Sequence, residues 1–147
     1  MNRQTTSPPG WSDAMSVGVA AMDEQHKEML WILDDVQHVG DGPDGFDQVM
    51  DVLWKLHAYI EKHFVDEEAM LAQTGFPFLD LHRESHKIIA MRTMDLAETV
   101  NPGNFRQVAR EIHGFLQGWL VHHIEIEDGE YRSFLSGHGP APSRSLF

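Results

Sequence analysis

The segment from Phe46 to Met70 constrains this chain more than any other. Phe46, Val49, Leu53, Leu56, Ile60, His63, Glu67 and Met70 recur at alternating intervals of three and four. That spacing places them on one face of an α-helix. The stripe is apolar up to Ile60. It then carries an imidazole and a carboxylate four residues apart, one helical turn above each other. Polar groups of this kind on a buried face are costly unless something satisfies them, and a metal ion satisfies both. A solvated helix end, where the stripe simply stops, is the bland alternative. One His-x-x-x-Glu pair does not decide between the two.

Three further helices are predicted around this one. The first spans about residues 23–39, with Asp23 as its start and His26, Met29, Leu30, Leu33 and Val36 facing inward. The Gly- and Asp-rich run at 40–45 is a loop. The central helix begins at Asp44 or Gly45 and runs to Gln73, where Gly75 supplies a C-terminal cap and Pro77 stops continuation. The third covers about 79–99, with His82, His86, Ile89 and Leu96 inward and Met91 and Met94 on its flanks. After the break at 101–104, a fourth runs to about Leu135 with Phe105, Val108, Ile112, Phe115, Leu116, Trp119 and His123 on its apolar face. Four helices joined by short loops predict an all-α, up-down-up-down four-helix bundle. Residues 11–21 read as an extended arm anchored by Trp11 and Val17. Residues 1–10 and 136–147 are expected to be flexible, leaving 11–135 as the single folded domain.

Each predicted helix carries histidine on its inward face: His26, His63, His82 with His86, and His123. A lone core histidine is usually satisfied by ordinary hydrogen bonds. Five of them on four faces that must meet would leave many ring nitrogens to satisfy in one core, and metal coordination would satisfy them together. Five imidazoles and at least one carboxylate exceed the four ligands of a single zinc, so two ions sharing carboxylates fit the count better. The chain has no cysteine, which excludes thiolate ligands, iron–sulfur clusters and disulfides. Imidazole with carboxylate suits iron, zinc, copper or nickel rather than magnesium or calcium. Ferritin-like di-iron bundles use Glu-x-x-His motifs, and this sequence contains none. Its donor set is rich in imidazole and poor in carboxylate, which favours reversible over oxidase chemistry.

The formal charge of −12, from 11 basic and 23 acidic residues, argues against nucleic acid and anionic membranes as partners. No run of 18 apolar residues exists to span a bilayer. Residues 1–10 lack the apolar core of an export signal, so a cytoplasmic location is expected.

These residues resemble the hemerythrin family, and within it the single-domain bacterial members, over about residues 11–135. The likeness rests on Trp11, Val17-Gly18-Val19, Asp23-Glu24-Gln25-His26-Lys27, His63-Phe64-x-x-Glu67-Glu68-x-Met70, Gly75-Phe76-Pro77, His82-x-x-x-His86, Trp119-Leu120-x-x-His123-Ile124 and Asp128. The resemblance implies a haem-free pair of iron ions bridged by a solvent-derived oxo or hydroxo group, binding dioxygen reversibly. It implies that His82, His86 and His123 hold one iron and that His26 and His63 hold the other, which keeps a position open for O2. Glu67 and Asp128 would bridge the pair. Spacing alone favours Glu127, four residues after His123. Asp128 lies about 140° around a regular helix from His123, and a local π-bulge is the irregularity that would bring it round.

A reversible carrier also needs a dry pocket. Leu120, one turn before His123, is placed to cover the open position, and Trp119, Ile124, Ile60 and Phe64 are expected to complete the wall; in any bundle they would also serve as core. His38, His57, His113, His122 and His138 are expected to stay outside the cluster, with His57 pairing with Glu61 and His122 facing solvent. The expected role is O2 storage, delivery or sensing by a monomer, with nitric oxide as an alternative diatomic ligand. The rival readings are a di-iron peroxidase, nitric-oxide reductase or O2 reductase on the same scaffold, and a metal-storage or dizinc hydrolytic protein.

Overall fold

A computed structural model describes residues 7–39 and 42–137. Its elements are a 3₁₀ turn at Asp13–Met15, α1 (Ala20–His38), α2 (Gly45–Thr74), α3 (Leu79–Glu98), α4 (Phe105–His122), a π-helical segment (His123–Glu127) and α5 (Asp128–Leu135), which continues α4. There is no strand among the described residues. Sequential helices are spatial neighbours, and α1 closes the ring against α4. His26 early in α1, His63 late in α2, His82 early in α3 and His123 at the end of α4 all reach one level of the molecule. That shared level requires antiparallel neighbours, so the chain is the expected up-down-up-down bundle.

The predicted boundaries hold for α2 and α3 and shift at the start of α1. Residues 11–21 are not simply extended, because a 3₁₀ turn forms at 13–15 and α1 begins at Ala20 rather than Asp23. Asp23 does not start the helix. Its carboxylate lies inside the first turn and accepts hydrogen bonds from Ser16 Oγ at 2.6 Å and Val17 N–H at 2.9 Å. Asp23 therefore folds the arm back onto the helix, a job that needs the helix to be under way already. Val17 and Met15 are buried, Trp11 packs on the main core with the Lys27 ammonium 5.0 Å from its ring, and Pro8 is buried as well. The rest of the expected N-terminal arm, residues 1–6, and of the C-terminal tail, residues 138–147, lies outside the described residues, as do Gly40 and Asp41 of the first loop.

The other ends are closed by local chemistry. Gly75 takes φ 74°, and the Phe76 N–H reaches back to the Leu71 carbonyl. Phe76 and Leu71 also pack together, the hydrophobic contact that accompanies this cap. Asn104 closes the α3–α4 loop, accepting from the Asn101 N–H and donating to the Thr99 carbonyl.

The core is divided. A large apolar cluster fills the bundle from Phe105 and Val36 up to Phe64, Leu120 and Ile124. A smaller one, Val17, Met22, Leu71, Phe76 and Tyr131, caps the other end. On α2 the residues between the clusters are His63 and Glu67; on the α4–α5 rod they include His123 and Asp128.

Backbone requirements give an opposed pair of expectations. Gly75→Ala should lower stability by about 1–2 kcal/mol, because a Cβ disfavours the left-handed conformation. Gly114→Ala, at an exposed helical position where the new methyl meets nothing within 4 Å, should raise it by about 0.5–1 kcal/mol. Denaturant unfolding of the two variants checks both signs.

Candidate metal centre

His26, His63, Glu67, His82, His123 and Asp128 have fully buried side chains, and His86 is 2% exposed. They form two groups: Glu67 with His82, His86 and His123, and Glu67 with His26, His63 and Asp128. Within each group the donor atoms lie within 4.8 Å of one another. Glu67 divides its two oxygens between them. Oε1 faces His82, His86 and His123 at 2.7, 3.0 and 3.5 Å, while Oε2 faces His26 and His63 at 3.5 and 3.3 Å. Asp128 does the same, with Oδ1 at 2.9 and 3.1 Å from His82 and His123 and Oδ2 at 3.0 Å from His26.

Asp128 arrives here because the helix changes pitch. Its N–H donates to the His123 carbonyl five residues back, closing the π-helical turn. The extra residue in that turn rotates Asp128 to the inward face. Glu127 stays close to His123 as well, and Oε2 lies 3.0 Å from the outer ring nitrogen, Nδ1. Spacing thus identified a genuine neighbour in Glu127, but one on the far side of the imidazole.

Outer contacts orient three of the five rings. His63 Nδ1 meets Gln25 Oε1 at 2.8 Å, Gln25 donates to Asp66 at 2.9 Å, and Lys62 donates to Asp66 at 2.8 Å. His86 Nδ1 meets Glu68 Oε2 at 2.9 Å. Tyr131, fully buried, donates its phenol proton to Glu67 Oε2 at 3.2 Å. Gln25, Glu68, Tyr131 and this use of Glu127 escaped the sequence reading. Gln25 and Glu68 stand next to His26 and Glu67 in the chain and belong to the motifs that carry the family resemblance, but neither signal says which ring they reach.

Two rings are covered by aromatic faces. Phe64 stacks on His86 at 3.8 Å between centroids and Trp119 on His123 at 4.7 Å. Ile60, Trp119 and Leu120 line a small apolar cavity with Met29, Leu33, Leu56 and Leu116. Phe64 and Ile124 are buried beside the centre but do not line it. His57 pairs with Glu61 at 3.2 Å. His122 is half-buried rather than solvent-facing, and neither residue joins the cluster.

The arrangement fits a cation. Nε2 of His26 and of His63, and both oxygens of Asp128, are buried without a hydrogen bond of proper geometry. Donors this close yet misaligned for one another are aimed at the space between them. All are nitrogen or oxygen, the set that suits a first-row transition metal.

A profile of the Hemerythrin HHE cation binding domain matches residues 17–135. The chain belongs to the hemerythrin family. It is 28% identical over 123 residues to a bacteriohemerythrin of Pseudomonas aeruginosa, covering 82% of this chain and 77% of that protein. To a bacteriohemerythrin of Clostridium acetobutylicum it is 25% identical over 82% of this chain and 96% of the relative. A myohemerythrin of Theromyzon tessulatum is 30% identical over 87% of this chain and 94% of its own length. Among the described residues no helix is long and apolar enough to cross a membrane.

The carboxylates favour the protonated form of three of the imidazoles, His26, His82 and His123. Burial lowers the pKa of His26, His82 and His123, but the close approach and charge of Asp128 and Glu67, with Glu127 beside His123, outweigh it and raise them to about 9, 10 and 9. His63 is lowered by burial. Burial raises Asp128, and Glu67 beside it raises it further, but His123, His26 and His82 bring it down to about 2. The three raised histidines contribute stability that is full below the unfolded value near 6.5. That contribution is lost as pH climbs to about 9–10. Metal-free protein should therefore weaken across this interval. Saturation with a divalent metal, which binds the deprotonated rings, should flatten the dependence. Denaturant midpoints measured from pH 6 to 10, with and without metal, check it.

Proposed function

We propose that this hemerythrin reversibly binds dioxygen at a non-haem di-iron centre, for storage, delivery or sensing. The observation that carries the reading is the division of the two carboxylates: each turns one oxygen to the three-histidine group and the other to the rest. Such an arrangement suits two cations joined by shared ligands rather than one. His82, His86 and His123 would hold the first iron, His26 and His63 the second, and Glu67 with Asp128 would bridge them, beside an oxo or hydroxo group from solvent. Bound there, a pair of ferrous ions would supply the reversible two-electron chemistry that O2 binding needs. The bacteriohemerythrin and myohemerythrin relatives support the same reading.

The chain's own contribution is to fix the donors and keep water out. Gln25, Glu68 and Glu127 hold the outer nitrogens of His63, His86 and His123, so that Nε2 of each ring is presented inward. The cavity beside them is lined by carbon and sulfur except for the Trp119 indole nitrogen. Apolar cavities of this kind stay dry. We place the O2 pocket there, with Leu120, Ile60 and Trp119 as its wall and Phe64 and Ile124 behind it. Dryness suits reversible binding, and the lack of an acidic side chain in this lining disfavours the peroxidase and reductase alternatives. All seven donors come from one chain, so a monomer is a sufficient working unit. The reading places it in the cytoplasm and admits nitric oxide as a second diatomic ligand.

Iron-loaded, reduced protein exposed to O2 should gain near-ultraviolet and visible charge-transfer absorption that disappears on deoxygenation. Absence of the band, or its irreversible replacement by ferric protein with turnover of a reductant, would overturn the carrier reading. Leu120→Ala should admit water and speed autoxidation several-fold, followed as decay of the oxygenated spectrum; an unchanged rate would remove Leu120 from the wall.

A further inference from the structure

The two halves of the centre receive different electrostatic support from the groups behind their ligands. On the three-histidine side, two rings are backed by carboxylates: Glu68 at 2.9 Å behind His86 and Glu127 at 3.0 Å behind His123. Glu127 is fully buried and its ion pair is with His123. Glu68 shares part of its charge with Arg83, whose Nε lies 3.4 Å away and which is itself half exposed. Ionised carboxylates only accept hydrogen bonds, so Nδ1 of each ring must donate. The third ring, His82, has no hydrogen-bond partner on Nδ1 among the described residues.

The two-histidine side is built otherwise. His63 is backed by a neutral amide. Gln25 Nε2 donates to Asp66, so its carbonyl oxygen is the atom turned to His63. Asp66 is neutralised in turn by Lys62 at 2.8 Å. His26 Nδ1 is buried with no hydrogen-bond partner among the described residues. Among the described residues, two negative charges therefore stand directly behind the ligands of one half and none directly behind those of the other. A carboxylate behind an imidazole makes the inward nitrogen a stronger donor and the ring position more favourable to positive charge. Glu67 and Asp128 give one oxygen to each half, and the Tyr131 hydroxyl draws on Glu67 Oε2 on the two-histidine side, so they do not cancel the difference.

We infer that the two metal positions are unequal by construction, and that the His82–His86–His123 position, backed by Glu68 and Glu127, fills first and holds its cation more tightly than the His26–His63 position. This rests on the two-metal reading above and adds an order of occupancy to it. The weaker position is also the one with fewer imidazoles, so the cation held there keeps room for an exogenous ligand, while the tighter one anchors the pair. Groups that touch neither metal thus reinforce the inequality that the count of imidazoles begins.

Cobalt(II) titration of metal-free protein tests this without any oxygen chemistry. Calorimetry gives the affinities, and hyperfine-shifted imidazole NMR signals show which rings are occupied. At one cobalt per chain the shifted signals should come from three histidines, His82, His86 and His123. Glu127→Gln, alone and with Glu68→Gln, should weaken the first step by roughly 10–100-fold, the range found for partners of metal-bound histidines, and leave the second nearly unchanged. Gln25→Glu combined with Asp66→Asn, which puts a carboxylate behind His63 and an amide donor behind that carboxylate, should strengthen the second step alone. Helical circular dichroism shows whether each variant is folded. If the glutamine variants are misfolded, the NMR assignment of the half-loaded wild-type protein decides by itself. Signals from His26 and His63 at one equivalent, or equal weakening of both steps in folded variants, would overturn the inference. Wild-type protein that takes up no cobalt, or only one, would overturn the two-metal reading itself.

Discussion

Two buried carboxylates, Glu67 and Asp128, are the interaction on which the rest of this molecule depends. An isolated charge in a helical core is prohibitively costly. Here both are surrounded by imidazoles from all four helices, with contacts from 2.7 to 3.5 Å, and Glu67 also accepts the Tyr131 hydroxyl. Removing one partner from such a network leaves a buried charge without compensation, which costs more than the intact pair contributes. The polar layer therefore demands that α1, α2, α3 and the α4–α5 rod meet in one register. Apolar packing alone would tolerate sliding of one helix by a turn; this layer does not.

The division of the core follows from the same demand. The large cluster and the smaller one built on Tyr131, Leu71 and Phe76 lie on either side of the polar layer. Each seals one side from water, which strengthens every electrostatic interaction inside. Phe64 over His86 and Trp119 over His123 continue the seal directly onto the rings. Stability and dryness thus arise from the same residues. The cavity lined by Leu120 and its neighbours is the margin of the main core where it meets the donors, rather than a separate structure.

Backbone irregularity enters where ordinary helical geometry fails. A regular helix would carry Asp128 away from the centre, and the π-helical turn from His123 to Glu127 returns it. The same turn leaves Glu127 behind His123. One inserted residue therefore supplies both a carboxylate inside the cluster and a carboxylate outside it. At the other end of the chain, Asp23 ties the arm to α1 only because the helix starts at Ala20 and presents its side chain to Ser16 and Val17.

The sequence by itself determined the four helices, their inward faces and the five histidines with Glu67, because helical periodicity is a local property written in the order of apolar residues. It also identified the loops and the Gly75 cap, whose chemistry is equally local. Asp128 was legible only through resemblance, since helical spacing pointed to Glu127, and the pitch change that reconciles them depends on hydrogen bonding along the folded rod. The tertiary structure alone decided which oxygen faces which ring, that Gln25, Glu68 and Glu127 stand behind His63, His86 and His123, and that Tyr131 reaches Glu67 across 64 residues. Most of those contacts join helices distant in the chain, at distances set to tenths of an ångström by packing. No pattern within one helix records where the side chains of another will come to rest.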